Sequence, residues 1–166
     1  MSAFDFMKQA NLLDWYTLLV GLKRGWCKKE HLIGYAETVL AKTAGEVDGD
    51  IVTIASGENL SEDDLISTCI HFLGTHGQPT SQEKECEAME KWRLAHLSWL
   101  LQREGSDEEK VSELQELYAQ FGFPDDMASC SIYSSNGIDP LVAASGVVER
   151  LSRRFLPEFF MSVGSQ

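Results

Sequence analysis

Four histidines and four cysteines are the residues of this chain best suited to chemistry: His31, His71, His76 and His96, and Cys27, Cys69, Cys86 and Cys130. An imidazole can serve as a general base near neutral pH, and a thiolate can attack carbon or bind metal. Both roles depend on partners at set spacings. Cys27 with His31, and Cys69 with His71, each offer two metal ligands, yet neither has the second short-spaced pair of a zinc site, so buried or incidental thiols are the better reading. His96 falls between Trp92 and Trp99 on an apolar stripe. A hydrogen-bonded core histidine is the ordinary outcome there, and general-base catalysis would need a carboxylate or hydroxyl brought to it from elsewhere. His71 and His76 are five apart, the second beyond the helix-breaking Gly74, and read as surface or loop residues. The sequence has no GxxxxGK[ST], no GxGxxG, no GxSxG and no HExxH. It therefore assigns no catalytic residue, no metal ligand set and no cofactor, and a binding protein is preferred over an enzyme.

The acids carry a more specific signal. The formal net charge is −12, and its distribution matters more than its sum. From Thr43 to Glu83 there are eight acids and no Lys or Arg, and from Val111 to Glu149 six acids and again no base. Such a field repels nucleic acid and anionic lipid, because phosphate binding needs a basic surface that releases counterions. A macromolecular partner is expected to be a protein, and a cationic one. The plain alternative is that the acidity keeps a cytosolic protein soluble. Glu62, Asp63 and Asp64 with Glu58 or Asp50 cluster the oxygen ligands that hard cations favour, but acids in a first turn are what a helix N-terminus wants in any case. A protein-binding patch needs no fixed ligand geometry. The expected partner-binding residues are accordingly Asp48, Asp50, Glu58, Glu62, Asp63 and Asp64, with Asp125 and Asp126 as a second patch. Beside that patch, Phe123-Pro124 forms a tip with an aromatic next to charge. It reads either as a contact loop or as Phe123 packing inward after a helix stop.

These residues must be held by helices. At 166 residues and 43% hydrophobic content the chain suits a single domain that folds without a metal or disulfide staple. Its longest apolar runs, such as Trp15 to Leu22, are far short of the roughly 18 to 20 residues that cross a bilayer. The opening residues lack the basic start, apolar stretch and cleavage site of an export signal, which makes a cytoplasmic location and reduced thiols the expectation.

The dominant period is helical, and the spacing predicts an all-α domain of about seven helices in irregular hairpins over residues 1–160, with residues 161–166 as a frayed tail. After a short N-terminal segment from Phe4 to Ala10, Asp14 caps a helix with Trp15, Leu18, Leu19 and Leu22 on one stripe, ending at Gly25. A third helix runs from about Lys28 to Ala44, with Gly45 as the expected left-handed terminator. Lys28 and Lys29 oppose its dipole, either for a surface contact or as a mild local penalty. Gly49 to Gly57 is ambiguous between helix and strand and is taken as helix. Ser61, with Asp64 three residues on and Leu60 and Leu65 as a hydrophobic staple, starts the next helix, which Gly74, Gly77 and Pro79 break. The longest helix extends from about Ser81 to Glu104 with Met89, Trp92, His96, Trp99 and Leu100 inward. Ser106 and Glu109 form a capping box for another, ended by Gly122 and Pro124. Cys130 to Tyr133 could be extended. Asp139 and Pro140 then start a last helix with Val148, Leu151 and Phe155 inward.

The set Gly21-Leu22-Lys23-Arg24-Gly25-Trp26, the helix bearing Trp92 and Trp99, and above all Tyr118-Ala119-Gln120-Phe121-Gly122-Phe123-Pro124 resemble a bacterial family catalogued as domain of unknown function 2247. The resemblance covers about Phe4 to Tyr133 and leaves out the last helix. It carries over no activity and no site residue. It does look like the kind of small acidic bacterial protein encoded beside polymorphic toxins, by analogy only. The expectation is a cytoplasmic immunity-type protein that neutralises a cognate cationic toxin domain through its acidic surface. A helical adaptor or regulatory subunit is the second reading, and an enzyme of unrecognised type using His96 or His31 the third.

Overall fold

A computed structural model describes residues 1–76 and 82–158. Within them lie eight α-helices: α1 (Ala3–Gln9), α2 (Trp15–Arg24), α3 (Lys29–Lys42), α4 (Gly49–Ala55), α5 (Glu62–Thr75), α6 (Gln82–Gln102), α7 (Asp107–Gln120) and α8 (Pro140–Phe155). Two 3₁₀ segments, Gly57–Asn59 and Asp125–Cys130, complete the set, and among the described residues there is no strand. The protein is all-α. The Gly77–Pro79 break, the Ser81 start and the tail from Met161 lie outside the described residues. Contacts group the chain into two compact units, Leu13–Ala88 and Met1–Leu12 with Met89–Gln166, so that α6 begins in one and continues in the other.

In the Leu13–Ala88 unit α3 packs on α4, α4 on α5, and α2 on both α3 and α5. Leu18, Leu32, Ala36, Ile54, Leu65 and Cys69 are fully buried in it, and the Trp15 ring meets Tyr35 edge-on at 4.9 Å and Phe72 at 5.2 Å. The start of α2 is fixed by Asp14, whose carboxylate accepts the Thr17 N–H at 2.8 Å. Its end is fixed by Gly25 in the left-handed region, φ 71°. The segment taken as helix after Gly49 is one, because Ile51 and Ile54, three apart, are the buried pair while Val52 is exposed. Gly45 does not terminate α3. The helix ends two residues earlier at Thr43, which is extended and whose hydroxyl donates to the Val39 carbonyl at 2.7 Å, satisfying a last-turn acceptor from the side chain.

The other unit is built on α6. The expected stripe on this helix is too narrow: Trp92 and Leu100 are fully buried and Met89, His96 and Trp99 only partly, whereas Arg93, Leu94, Ala95, Leu97 and Ser98 are buried too. Over residues 88–100 every position of α6 is buried or half-buried, so this part of the helix has no single apolar stripe to read, whereas residues 82–86 are exposed. α7 contributes Leu114 and Leu117, and α8 packs on α7 and on Asp125–Cys130. Ala144, Val147 and Leu151 are the buried face of α8; Val148 and Phe155, expected inward, are half-buried, because the 3.6-residue period that includes Ala144 selects Val147 over its neighbour. Cys130 to Tyr133 is not extended: Cys130 closes the 3₁₀ segment and a turn follows, with the Ser134 N–H donating to the Ser131 carbonyl at 3.1 Å.

Candidate functional site

The first acidic set sits where α4 and α5 begin. Asp48 is the N-cap of α4: its carboxylate accepts the Asp50 N–H at 2.8 Å and lies 3.3 Å from His76 Nε2. Asp50 Oδ2 is 2.6 Å from His71 Nδ1, so two carboxylate–imidazole pairs tie the start of α4 to the last turns of α5. Both histidines are exposed, as the sequence suggests, but each has an acid partner it did not suggest. Ser61 Oγ accepts the Asp64 N–H at 3.1 Å and donates to the Asp64 carboxylate at 2.8 Å. Asp48, Asp50 and Asp64 are thus engaged within the fold. Glu58, Glu62 and Asp63 are exposed, and among the described residues no hydrogen bond or ion pair holds their carboxylates. Lys29 forms no ion pair with them. Its ammonium donates to the backbone carbonyls of Glu58 (2.8 Å) and Leu60 (3.2 Å), which is why a lysine is tolerated in the first turn of α3.

In the second patch the two aspartates differ. Arg93 Nη2 donates to Asp126 Oδ2 at 2.8 Å, and Arg150 donates to the same oxygen. Arg93 is only 8% exposed, and burial pulls its pKa below the ordinary arginine value. A guanidinium so enclosed needs a carboxylate, and Asp126 provides it, pinning Asp125–Cys130 against α6 and α8. Asp125 is exposed and has no partner among the described residues. Phe123 does not pack inward. It is 62% exposed, sits in the left-handed region at φ 56°, and meets the Tyr118 ring edge-on at 5.1 Å. The apolar residues Ile132, Tyr133, Ile138 and Val142 are exposed as well. The sequence signal available for Ile132, Tyr133 and Ile138 was apolar residues in a stretch without helical period; Val142 lies in the first turn of α8, off its buried face.

His96 and three of the four cysteines are withdrawn wholly or partly from solvent. His96 lies between the rings of Trp92 and Phe121, each 5.9 Å away by centroid, and burial pushes its pKa down to about 4. Burial pushes the Cys27 and Cys69 thiols up to about 12 and the Cys130 thiol up to about 11; Cys86 is exposed. Among the described residues no group of three or more His, Cys, Asp or Glu is arranged to hold a metal ion.

The helices and the site together define an acidic all-α protein that presents, among the described residues, surface carboxylates held by no partner and exposed apolar side chains. The chain belongs to the bacterial family described as "Uncharacterized protein conserved in bacteria (DUF2247)", which it matches over residues 4–156. The match continues beyond Tyr133 through α8, where the motif resemblance stops. No curated protein and no solved structure matches the chain. Among the described residues no helix is long and apolar enough to cross a membrane.

Proposed function

We propose that this chain is a cytoplasmic immunity-type binding protein, not an enzyme, and that it neutralises a cognate cationic toxin domain by covering its active cleft. The observation that carries the reading is a group of uncommitted carboxylates in stretches free of Lys and Arg, among them Glu58, Glu62, Asp63 and Asp125. Carboxylates already held by caps and ion pairs have their geometry fixed by the fold, whereas these four are open to an incoming base. Toxin domains that act on nucleic acid or nucleotides present basic clefts, and acids on a rigid helical frame would steer such a cleft in and reject anionic competitors. The buried thiols and the enclosed His96 support binding over catalysis, since a nucleophile or general base must reach its substrate.

The test is to sequence the genes beside this one and to co-express the chain with any toxin domain they encode; no toxin gene beside it would count against the reading. Cells carrying both are expected to survive induction, and cells carrying the toxin alone to die. Equal killing with and without this chain would overturn the reading.

A further inference from the structure

The chain has three asparagines, Asn11, Asn59 and Asn136, and all three are exposed. An asparagine amide carbon is open to attack by the backbone nitrogen of the next residue, which closes a succinimide ring. That nitrogen separates the three sites. The Leu12 N–H donates to the Met7 carbonyl at 2.9 Å and the Leu60 N–H to the Gly57 carbonyl at 2.9 Å, so both are held as donors, and each carries a leucine side chain beside it. The Gly137 N–H has no hydrogen-bond partner among the described residues. Gly137 has no side chain to screen its nitrogen, and nothing lies within 4 Å of where a Cβ would stand.

The fold also arranges the Asn136 amide. Its carbonyl oxygen accepts the Ile138 N–H at 3.1 Å, an Asx turn that folds the side chain back over the peptide joining Asn136 to Gly137. The same donor sits where negative charge grows on Oδ1 as a nucleophile adds to Cγ. Nδ2 donates to Ser129 Oγ at 2.6 Å, which keeps the departing nitrogen beside a hydroxyl able to hand it a proton. Gly137 is in the left-handed region at φ 73°, the conformation for which the turn needs a glycine.

We infer that Asn136-Gly137 is a self-modification site, where the folded chain converts its own asparagine to aspartate and isoaspartate through a succinimide. Gly137 N gives up its proton and bonds to Asn136 Cγ. The bond from Cγ to Nδ2 breaks, and Nδ2 takes up one proton and leaves as ammonia. Water then opens the ring, at Cγ to give aspartate or at the Asn136 main-chain carbonyl carbon to give isoaspartate. No electrons are exchanged, and water is the only co-reactant. Either product replaces the amide donor to Ser129 with a carboxylate and adds a negative charge to a chain already at −12. Isoaspartate also routes the main chain through the side-chain carbon, lengthening it just ahead of Asp139, whose carboxylate caps α8. The change runs one way, so it marks the age of each molecule, and it is independent of what the chain binds.

The test is to hold the full chain at mildly alkaline pH and follow each asparagine by peptide mass spectrometry. Isoaspartate is counted by methyl transfer from S-adenosylmethionine with an isoaspartyl methyltransferase. Asn136 should convert at least about tenfold faster than Asn11 and Asn59. Asn136→Gln should abolish the conversion, because the longer side chain closes a larger and slower ring, and Gly137→Ala should slow it by about tenfold or more. Circular dichroism checks that both variants keep the wild-type fold. A further measurement needs no variant: in guanidinium chloride the wild-type chain keeps the Asn-Gly sequence and loses the turn. Asn136 should convert in the folded chain within about tenfold of its unfolded rate. A folded rate slower than that would overturn the inference, because the bonds to Ile138 and Ser129 would then hold Cγ away from Gly137. So would conversion of Asn11 or Asn59 at the pace of Asn136 in the folded chain.

Discussion

Asp125 and Asp126 are adjacent in the chain and identical in chemistry, yet one faces solvent and the other holds two guanidinium groups. Nothing in the local sequence separates them, because the partners of Asp126 are Arg93 and Arg150, far off along the chain. His96 has a comparable history: its place on an apolar stripe is legible, and its degree of enclosure is set by Trp92 and Phe121. That enclosure gives a pH prediction. Burial lowers the folded-state pKa from 6.5 to about 4, so the folded protein holds His96 neutral where the unfolded chain would protonate it. The stability that His96 contributes is therefore fully present above pH 6.5 and is lost as pH falls through 6.5 toward 4, by up to roughly 3 kcal/mol. Urea unfolding of wild type and His96→Gln, followed from pH 7 to pH 4, removes the carboxylate contribution common to both. Wild type should lose the larger share of its pH 7 stability. Parallel pH profiles for the two proteins would mean that His96 protonates freely in the fold.

The helix starts were legible in the sequence because a cap is a contract between residues two or three apart. Ser106 with Glu109, Ser61 with Asp64, and Asp139 ahead of Pro140 all form the hydrogen bonds their spacing predicts. What failed depends on tertiary surroundings: the burial of α6 on more than one face over residues 88–100, the irrelevance of Gly45 to the end of α3, and the use of Lys29 to tie α3 to the carbonyls of Glu58 and Leu60. The same limit applies to the site, where the acids were visible but their division into engaged and open was not. Gly57 offers an element-scale test. It is buried in the 3₁₀ turn before α5, and a Cβ there would sit 2.7 Å from Cδ2 of Leu65, which is fully buried and has little room to yield. Gly57→Ala should cost about 1 to 3 kcal/mol through overpacking of the turn against α5. Thermal denaturation measures it, and Leu65→Val in the same chain should recover part of the loss by making room. An unchanged midpoint for Gly57→Ala would show that the turn moves away from α5 at no cost.

At the scale of the whole molecule, acidity is a property of both units. Leu13–Ala88 carries 13 acids against 6 Lys and Arg, and the rest of the chain 13 against 8. Two electrostatic effects of opposite sign follow. Ion pairs such as the half-buried Arg103–Glu113 and the exposed Arg153–Glu149 stabilise the fold and weaken as salt screens them, but an exposed pair contributes only about 0 to 1 kcal/mol. Self-repulsion among unbalanced acids destabilises the compact state and is relieved by the same screening. With a net charge of −12 and acids such as Glu58, Glu62 and Asp63 held by no partner among the described residues, repulsion should win. Raising NaCl from about 10 mM to about 150 mM shortens the screening length from roughly 30 Å to roughly 8 Å and should raise the thermal midpoint by about 2 to 5 °C. Glu62→Gln with Asp63→Asn should raise the low-salt midpoint and reduce its salt dependence, because the charge removed is part of what salt screens. A midpoint that falls with added salt would place the ion pairs, Arg93–Asp126 foremost, above repulsion in setting stability. The exposed acids would then cost the fold less than those pairs contribute.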